Sequence, residues 1–412
     1  MTPLPTDRVT RRSFVAAAAA SVATAVSPLS ASSYARILGA NDRLRLALIG
    51  AGGRGRYVME LLQGSDVEVV ALCDVFASAL EEARARVNGP APRLLDDYRA
   101  VLDAPDVDAV VIATPDHWHA PMTVDACRAG KDVYLEKPLA HTIEEGRLIV
   151  QAVRESGRIV QVGLQQRSGA HYQEAKERYF DTGRIGRLGY VRTWWHGQNP
   201  RELDPALERR PEGLDWERFV GPAPPRPFDP RQFYHWRNYA DFGEGQVGDL
   251  FTHWVDVAQW FTGDGLLEEA SAIGGIYHFR DGRDWPDTVS VLVKYPTGWT
   301  CSFEASLAPG ARGYGVEFMG TEGTLYIDRN RYRFTPNSGE VETGGLDHDI
   351  TRDHARNFVT CVRDRRQPNA PVLSSHRSTL ISHLANLAYL QGEAARPDLE
   401  AERALAADST GA

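Results

Sequence analysis

The sequence has little lysine, little cysteine and no hydrophobic run long enough to cross a membrane. Its 46 basic residues include only four lysines, Lys131, Lys137, Lys176 and Lys294. Lysine gives up its proton far more readily than arginine, so a lysine in an arginine-rich chain is a candidate for chemistry. The four cysteines are widely spaced and include no CxxC pair, which argues against a zinc knuckle or a disulfide framework. We therefore expect no metal site.

The charge and composition narrow the class of protein further. A net charge of −9 provides no basic surface for a nucleic-acid backbone, so no nucleic-acid partner is expected. The 412 residues are 42% hydrophobic and 25% charged, which is typical of a globular enzyme with one large or two ordinary domains.

The N-terminal segment resembles an export signal. Arg11 and Arg12 precede Phe14, and an alanine-rich apolar run follows to about Val26. The run is too short for a stable membrane span, and the paired arginines are typical of the twin-arginine (Tat) route, which carries folded proteins. We predict a Tat signal over residues 1–35 and a periplasmic or secreted location. The alternative is a disordered alanine-rich tail.

A glycine-rich turn follows the first strand signal. The apolar run Leu44–Ile49 leads into Gly50, Gly52 and Gly55, the G-x-G-x-x-G pattern of dinucleotide-binding folds. The next helix, from about Arg54 to Leu62, would point its N–H groups at a pyrophosphate, and Gly53 and Arg54 are candidate cofactor contacts at its start. A second strand, Val67–Cys73, ends at Asp74. A carboxylate here accepts from ribose hydroxyls and repels a 2′-phosphate, so NAD is favoured over NADP.

Further strand and helix signals alternate up to residue 162. Strands are predicted over Asp108–Ala113, Asp132–Leu135 and Arg158–Val162. Thr114-Pro115 follows the first of these and Glu136-Lys137-Pro138 the second, so both motifs belong at the carboxyl edge of the sheet, where ligands bind. Thr142 and Glu145 form a capping box for a helix to about Glu155.

These motifs resemble the glucose-fructose oxidoreductase, inositol dehydrogenase and rhizopine-catabolism family (Gfo/Idh/MocA). The resemblance rests on the glycine turn, Ala113-Thr114-Pro115 with His119, Glu136-Lys137-Pro138, Gly248-Asp249 with His253, and GTEGTLYI at 320–327. It implies a Rossmann α/β domain over 41–162, then an α+β domain over 163–412 with a large, mostly antiparallel sheet and a C-terminal helix. It also implies cofactor contacts from Thr114, Pro115, His119, Glu136 and Lys137, and a homodimer or homotetramer. Alternating runs such as TVSVLVKYP predict strands independently.

Three residues are the candidates for catalysis. Asp249 and His253 are four residues apart, so on a helix they share one face, and an acid could orient the histidine ring. The resemblance implies that His253 accepts the proton of a hydroxyl, that Lys137 holds the reacting oxygen, and that Asp249 binds a neighbouring hydroxyl or orients the base. The alternatives are a helix N-cap for Asp249 and a purely structural role for His253.

The substrate contacts are predicted from position and residue type. Gln165 and Arg167 follow the last Rossmann strand, and amides and guanidinium groups suit sugar hydroxyls. Trp194 could stack on a sugar ring, and Arg237 could wall the pocket, although core packing is the default for tryptophan. The proline-rich stretch 199–230 is predicted to be a long loop, and 375–391 a closing helix with Leu380, Leu384, Leu387 and Leu390 on its packed face.

Together these features predict an oxidoreductase that transfers hydride between a sugar, glycoside or polyol hydroxyl and tightly bound NAD. One alternative is a redox-neutral, NAD-dependent glycoside hydrolase or lyase that acts through a transient keto-sugar. A second is a non-catalytic protein that binds a sugar or a nucleotide.

Overall fold

The computed structural model describes residues 43–64, 66–197, 209–263, 265–308 and 313–407. The predicted export signal, residues 1–35, lies outside the described residues. In the part of the chain that is described, no helix is both long enough and apolar enough to cross a membrane.

The first sheet is parallel, as predicted, and has six strands, one more than the five predicted, because the short strand Arg93–Leu95 was not recognised. Its strands lie in the order β3-β2-β1-β4-β5-β6. Their bounds are β1 Leu44–Ile49, β2 Val67–Cys73, β3 Arg93–Leu95, β4 Ala109–Ile112, β5 Asp132–Leu135 and β6 Val160–Val162. The chain reverses direction across the sheet between β1 and β4, and the crevice at the carboxyl ends of these two strands is where such folds bind ligands.

Helices cover both faces of this sheet, which explains why its strands read as continuous apolar runs. They are α1 Gly53–Leu62, α2 Ala77–Arg84, α3 Tyr98–Leu102, α4 His119–Arg128 and α5 Ile143–Ser156. The predicted capping box is present: the Thr142 hydroxyl accepts from the N–H of Glu145, and the Glu145 carboxylate accepts from the N–H of Thr142.

The second sheet is mixed but mostly antiparallel, in agreement with the fold predicted from the resemblance. Its eight strands lie in the order β14-β13-β12-β11-β7-β10-β9-β8, and only β7 and β10 run parallel. Their bounds are β7 Leu188–His196, β8 Glu269–Gly275, β9 Thr288–Lys294, β10 Thr300–Ser306, β11 Gly313–Gly320, β12 Gly323–Ile327, β13 Arg331–Pro336 and β14 Glu342–Gly345.

The remaining helices connect the two sheets. They are α6 Ala170–Ala175, α7 Trp216–Val220, α8 Pro230–Tyr234, α9 Thr252–Thr262, α10 Ile350–Asp364, α11 Val372–Gln391 and α12 Leu399–Ala407. Helices α9 and α11 pack on the inner face of the second sheet, where Trp254 and Ile381 join the largest apolar core. Helix α10 returns to the first sheet, and Phe358 contacts Tyr134 of β5.

Two sequence predictions need correction here. Within the stretch 199–230, where a long loop was predicted, Trp216–Val220 forms a helix with Asp215 as its N-cap. Trp216 and Phe219 pack with Phe242 into a small apolar cluster. The proline content of the stretch obscured the helical spacing of Trp216 and Phe219. On α11, Leu380 and Leu384 are buried as predicted, but Leu387 and Leu390 are exposed.

Candidate active site

A first cavity, of about 470 Å³, opens at the carboxyl ends of β1, β2 and β4. The predicted cofactor residues Gly50, Gly52, Gly53, Arg54, Asp74, Thr114 and Pro115 line it. The sheet order brings these residues together, because parallel strands end at one edge.

The glycine turn is shaped for a close ligand. Gly50 has a φ of +90°, and a Cβ there would lie 2.7 Å from the carbonyl of Ala113. A Cβ on Gly55 would lie 2.0 Å from the carbonyl oxygen of Gly50, so this glycine allows α1 to pack against β1. Gly52 and Gly53 face open space, with no atom within 4 Å of a built Cβ. These residues fit a dinucleotide pyrophosphate over the N-terminus of α1.

Asp74 is held at the end of β2. Its carboxylate accepts from the N–H of Ala51 at 2.6 Å and from that of Phe76 at 2.9 Å. Burial raises its pKa to about 6, against the effect of these backbone donors. Asp74 is therefore mostly ionised at neutral pH and is placed to accept from ribose hydroxyls, in keeping with NAD.

A second cavity, of about 380 Å³, adjoins the first. The three catalytic candidates line it together with Glu136, Gln165 and Arg237. The residues that line both cavities are Arg54, Ala113, Thr114, Trp236 and Arg237. A ligand in one cavity therefore lies next to a ligand in the other.

Lys137 and Asp249 form an ion pair inside the second cavity. The ammonium group of Lys137 also donates to the carbonyl oxygen of Asp249 at 2.7 Å, and Arg237 Nε lies 3.2 Å from the Asp249 carboxylate. Burial opposes ionisation, yet the two cations hold the pKa of Asp249 at about 2. The carboxylate stays charged and fixes the position of Lys137.

His253 is neutral and is oriented by an amide. Its Nδ1 lies 3.1 Å from Oε1 of Gln166, and none of the described residues bonds to Nε2. Burial, with the charges of Lys137 and Arg329, lowers the pKa of His253 well below its usual value. The prediction that an acid orients this ring is wrong: Asp249 lies in a π-helical turn, Val247–Phe251, and contacts Lys137 rather than the ring.

Two of the predicted substrate contacts do not line the cavity. The guanidinium group of Arg167 forms two hydrogen bonds to Asp256, at 2.8 and 2.9 Å, and both side chains are buried. Trp194 lies on the outer face of β7 and stacks on Tyr326, whereas its neighbour Trp195 lines the cavity.

The residue His119 lies behind the site and lines neither cavity. Its ring nitrogens contact the carbonyl oxygens of Pro138 at 2.7 Å and Thr114 at 3.1 Å, so it braces the two loops against each other. Glu136 accepts from Arg54 Nε at 2.7 Å and ties the second cavity to the glycine turn.

Sequence reasoning missed three residues of the site. Asp116, in the loop after β4, lines the second cavity, and burial raises its pKa to about 7. Gln166 is adjacent to the predicted Gln165, and Arg329 is the second residue after GTEGTLYI. Each of these residues lies close to a motif that was recognised in the sequence. Only the fold shows that its side chain belongs to the site.

Comparisons with known proteins match the first sheet and most of the second. Residues 44–164 match the family model "Oxidoreductase family, NAD-binding Rossmann fold", and residues 172–326 match "GFO/IDH/MocA C-terminal domain". The chain is 27% identical to scyllo-inositol 2-dehydrogenase (NAD(+)) of Bacillus subtilis over 79% of its own length and 88% of that protein.

Levoglucosan dehydrogenases are similar as well. That of Pseudarthrobacter phenanthrenivorans is 29% identical over 57% of this chain and 59% of its own length. A solved levoglucosan dehydrogenase in complex with NADH superposes with a TM-score of 0.69 and 21% identity, over 86% of this chain and 98% of that one. At this identity the superposition shows a shared fold.

Proposed function

Because the chain belongs to the Gfo/Idh/MocA family of NAD-binding oxidoreductases, we propose that it transfers hydride between a sugar, glycoside or polyol hydroxyl and NAD. The observation that carries the proposal is the convergence of Lys137, Asp249 and His253 on a cavity that shares a wall with the glycine turn. Relatives named as scyllo-inositol and levoglucosan dehydrogenases support this substrate class.

The residues divide the work of alcohol oxidation. His253 is neutral and accepts the hydroxyl proton at Nε2, because Gln166 engages Nδ1. Lys137, held in place by its ion pair with Asp249, donates to the reacting oxygen and stabilises negative charge on it. When bound, NAD supplies the hydride acceptor.

Variants of Lys137 and His253, with a second lysine as the control, test the site assignment. Lys137→Met and His253→Asn each remove a group that acts on the reacting oxygen, so we expect kcat to fall about 10²- to 10⁴-fold. NAD binding, measured by fluorescence titration, should stay unchanged. Lys176→Met is the matched control, since Lys176 pairs with Asp181 outside both cavities. Full turnover in both site variants would refute the assignment.

The redox-neutral alternative begins with the same hydride and proton removal. It differs in that the transient ketone acidifies the adjacent C–H bond. We propose net oxidation, because the relatives described above are named as dehydrogenases. The test is to run the reaction in deuterated water. Deuterium incorporated at the adjacent carbon together with glycoside cleavage and no net NADH would establish the alternative instead.

We further propose export by the Tat route with the cofactor already bound. The support is the Arg11-Arg12 motif, because this route carries folded proteins and external compartments hold no NAD pool. The test is to purify the mature protein without added nucleotide, denature it and count the NAD released. Near one per chain supports a resident cofactor. Empty protein, or a location unchanged in the paired Arg→Lys variant, contradicts the proposal.

We also propose a homo-oligomer, a dimer or a tetramer, built on the outer face of the second sheet. Ile273 on β8 is 77% exposed and Leu292 on β9 is 51% exposed, and the strand register places both on the face that carries Trp194. Exposed apolar side chains on a sheet face are typical of an interaction surface. Analytical ultracentrifugation tests this, and a monomer at micromolar concentration would contradict it.

A further inference from the structure

Arg329 lines the second cavity, and the charge of Asp349 acts on it without forming an ion pair. Among the described residues, no carboxylate pairs with its guanidinium group, and its Nε is buried without a hydrogen-bond partner. The group lies over the rings of Trp195, at 4.9 Å, and Tyr314, at 5.7 Å. Stacking fixes the position of the guanidinium but does not satisfy its donors.

A tight hairpin turn holds Arg329 in place. The turn joins β12 to β13, and Asp328 begins it by accepting from the N–H groups of Asn330, at 2.8 Å, and Arg331, at 3.0 Å. The other oxygen of Asp328 accepts from Tyr326 at 2.6 Å. The nearest carboxylate in sequence is thus engaged in the turn itself, and it leaves Arg329 unneutralised.

The ion pairs of the cavity also leave Arg329 without a partner. The other cations of the lining have partners: Arg54 pairs with Glu136, and Lys137 and Arg237 both pair with Asp249. The third carboxylate, Asp116, is influenced by Lys137 and Arg237 rather than by Arg329. Arg329 is thus the cation of the lining that has no ion-pair partner among the described residues.

We propose that the substrate is a sugar acid whose carboxylate binds the guanidinium of Arg329 while its reacting hydroxyl lies at Lys137 and His253. This inference rests on the proposed function and narrows its substrate class. The planar fork of arginine matches a carboxylate with two parallel hydrogen bonds. A carboxylate also offers acceptors to the guanidinium donors that the protein leaves free, and it supplies the negative partner that Arg329 lacks.

A sugar phosphate has the same kind of charge, but the cavity fits it less well. A phosphate ester carries up to two charges and is usually bound by several cations or backbone N–H groups. Arg329 is a single unpaired cation, since the remaining cations of the lining are held by Glu136 and Asp249. The carboxylate is therefore the form that we assign.

The test compares each acid with its neutral parent. The wild-type protein with NAD would be assayed for NADH formation with D-glucuronate, D-galacturonate and D-gluconate. The neutral parents are D-glucose and D-galactose, and D-glucose 6-phosphate tests a phosphate in place of the carboxylate. We expect kcat/KM for the preferred acid to exceed that of its parent about 30-fold, the effect of a charge-assisted hydrogen bond. Equal or better turnover of the neutral sugars overturns the inference, and a preference for the phosphate overturns the choice of carboxylate.

A pair of arginine variants then assigns the effect to one residue. Arg329→Gln should lower the preference for the acid over its parent about 30-fold, mainly through KM, because the contact is remote from the reacting carbon. Arg331→Gln is the matched control: it lies two residues away, its side chain is 75% exposed, and it lines neither cavity. Equal effects of the two variants would overturn the role of Arg329.

The two proposals can fail separately. Unchanged NAD binding together with turnover of neutral sugars alone would refute the sugar-acid inference and leave the dehydrogenase intact. Absence of turnover with every sugar and acid would refute the proposed function, and the inference with it. Arg329→Lys keeps the charge and loses the fork, so partial recovery of the preference would distinguish a charge contact from misfolding of the glutamine variant.

Discussion

Gln166 Oε1 accepts from Nδ1 of His253, and the two side chains come from segments 87 residues apart in the sequence. Because the amide oxygen can only accept, the ring proton lies on Nδ1 and Nε2 keeps its lone pair. The neutral amide orients the ring without adding charge, whereas a carboxylate would raise its pKa. Gln166 therefore acts as a positioning residue for the base.

We predict that Gln166→Leu lowers kcat about 10- to 100-fold, because the ring loses its fixed tautomer and orientation. Dissociation constants for NAD should not change. The pH profile of kcat should broaden or shift, and Gln166→Glu should displace its acidic limb upward, since a charged acceptor stabilises the imidazolium. The exposed Gln151 of α5 provides the control, Gln151→Leu. An unaltered profile in both Gln166 variants would refute the positioning role.

Because Arg167 is paired with Asp256, we predict that substituting Arg167 lowers the stability of the protein and leaves its affinity for the substrate unchanged. Arg167→Met leaves Asp256 buried without its counterion, which costs about 3 kcal/mol of the free energy of unfolding. Chemical denaturation measures that loss, and KM for the substrate should remain within experimental error. A raised KM at unchanged stability would instead favour the substrate contact predicted from sequence. Arg192, which forms an exposed pair with Glu304, gives the comparison variant Arg192→Met, expected to cost less than about 1 kcal/mol.

Asp74 predicts how cofactor affinity depends on pH. Its pKa is about 6 in the folded protein, so the carboxylate becomes protonated as the pH falls below that value. We expect NAD affinity to fall with it, and Asp74→Ser to weaken NAD binding about 10-fold at neutral pH while weakening NADP binding less. Fluorescence titration between about pH 5 and pH 8 measures both effects. Asp103→Asn, at an exposed position after α3, should leave the titration curve unchanged.

The raised pKa of Glu244 predicts that alkaline pH destabilises the protein. This buried carboxyl accepts from Asn386 Nδ2 at 2.9 Å, and burial raises its pKa to about 8. The folded state therefore binds a proton that the unfolded chain has released, so the stabilising contribution is complete below the unfolded pKa and disappears as the pH rises through about 8. Asp116, with a pKa of about 7, acts in the same direction.

Replacing this carboxyl with an amide should remove part of the pH dependence. The free energy of unfolding of Glu244→Gln should decline less than that of the wild type between about pH 5 and pH 9, by roughly 2 to 4 kcal/mol. Urea unfolding at a series of pH values tests this, with the exposed Glu177→Gln as the control. Parallel curves for Glu244→Gln and the wild type would show that Glu244 is ionised throughout.

The features that were predicted correctly are those determined by residues close together in the sequence. The turn from Gly50 to Gly55 and the capping box of Thr142 are local patterns with local causes, so strand, turn and helix followed from the order of residues. Lys137 and Asp249 were recognised by motif and are ion-paired in the fold.

The errors concern relationships that only the folded chain creates. The partner of Arg167 lies 89 residues further along, so nothing near Arg167 indicated that it was already engaged. Trp194 and Trp195 point to opposite faces of β7, and the choice between them depends on which face the helices cover. The hairpin turn places Arg329 in the cavity, and no local pattern distinguishes it from the exposed Arg331 nearby.

The wall that the two cavities share makes their occupants thermodynamically interdependent. Arg54, Thr114 and Arg237 face both, so each ligand alters the surface that the other meets. Binding free energies around a closed cycle must sum to zero, and the coupling is therefore reciprocal. Whatever factor the sugar applies to the affinity for the dinucleotide, the dinucleotide applies to the affinity for the sugar. The affinity for the cofactor thus becomes a property of the pair of ligands rather than of the glycine turn alone.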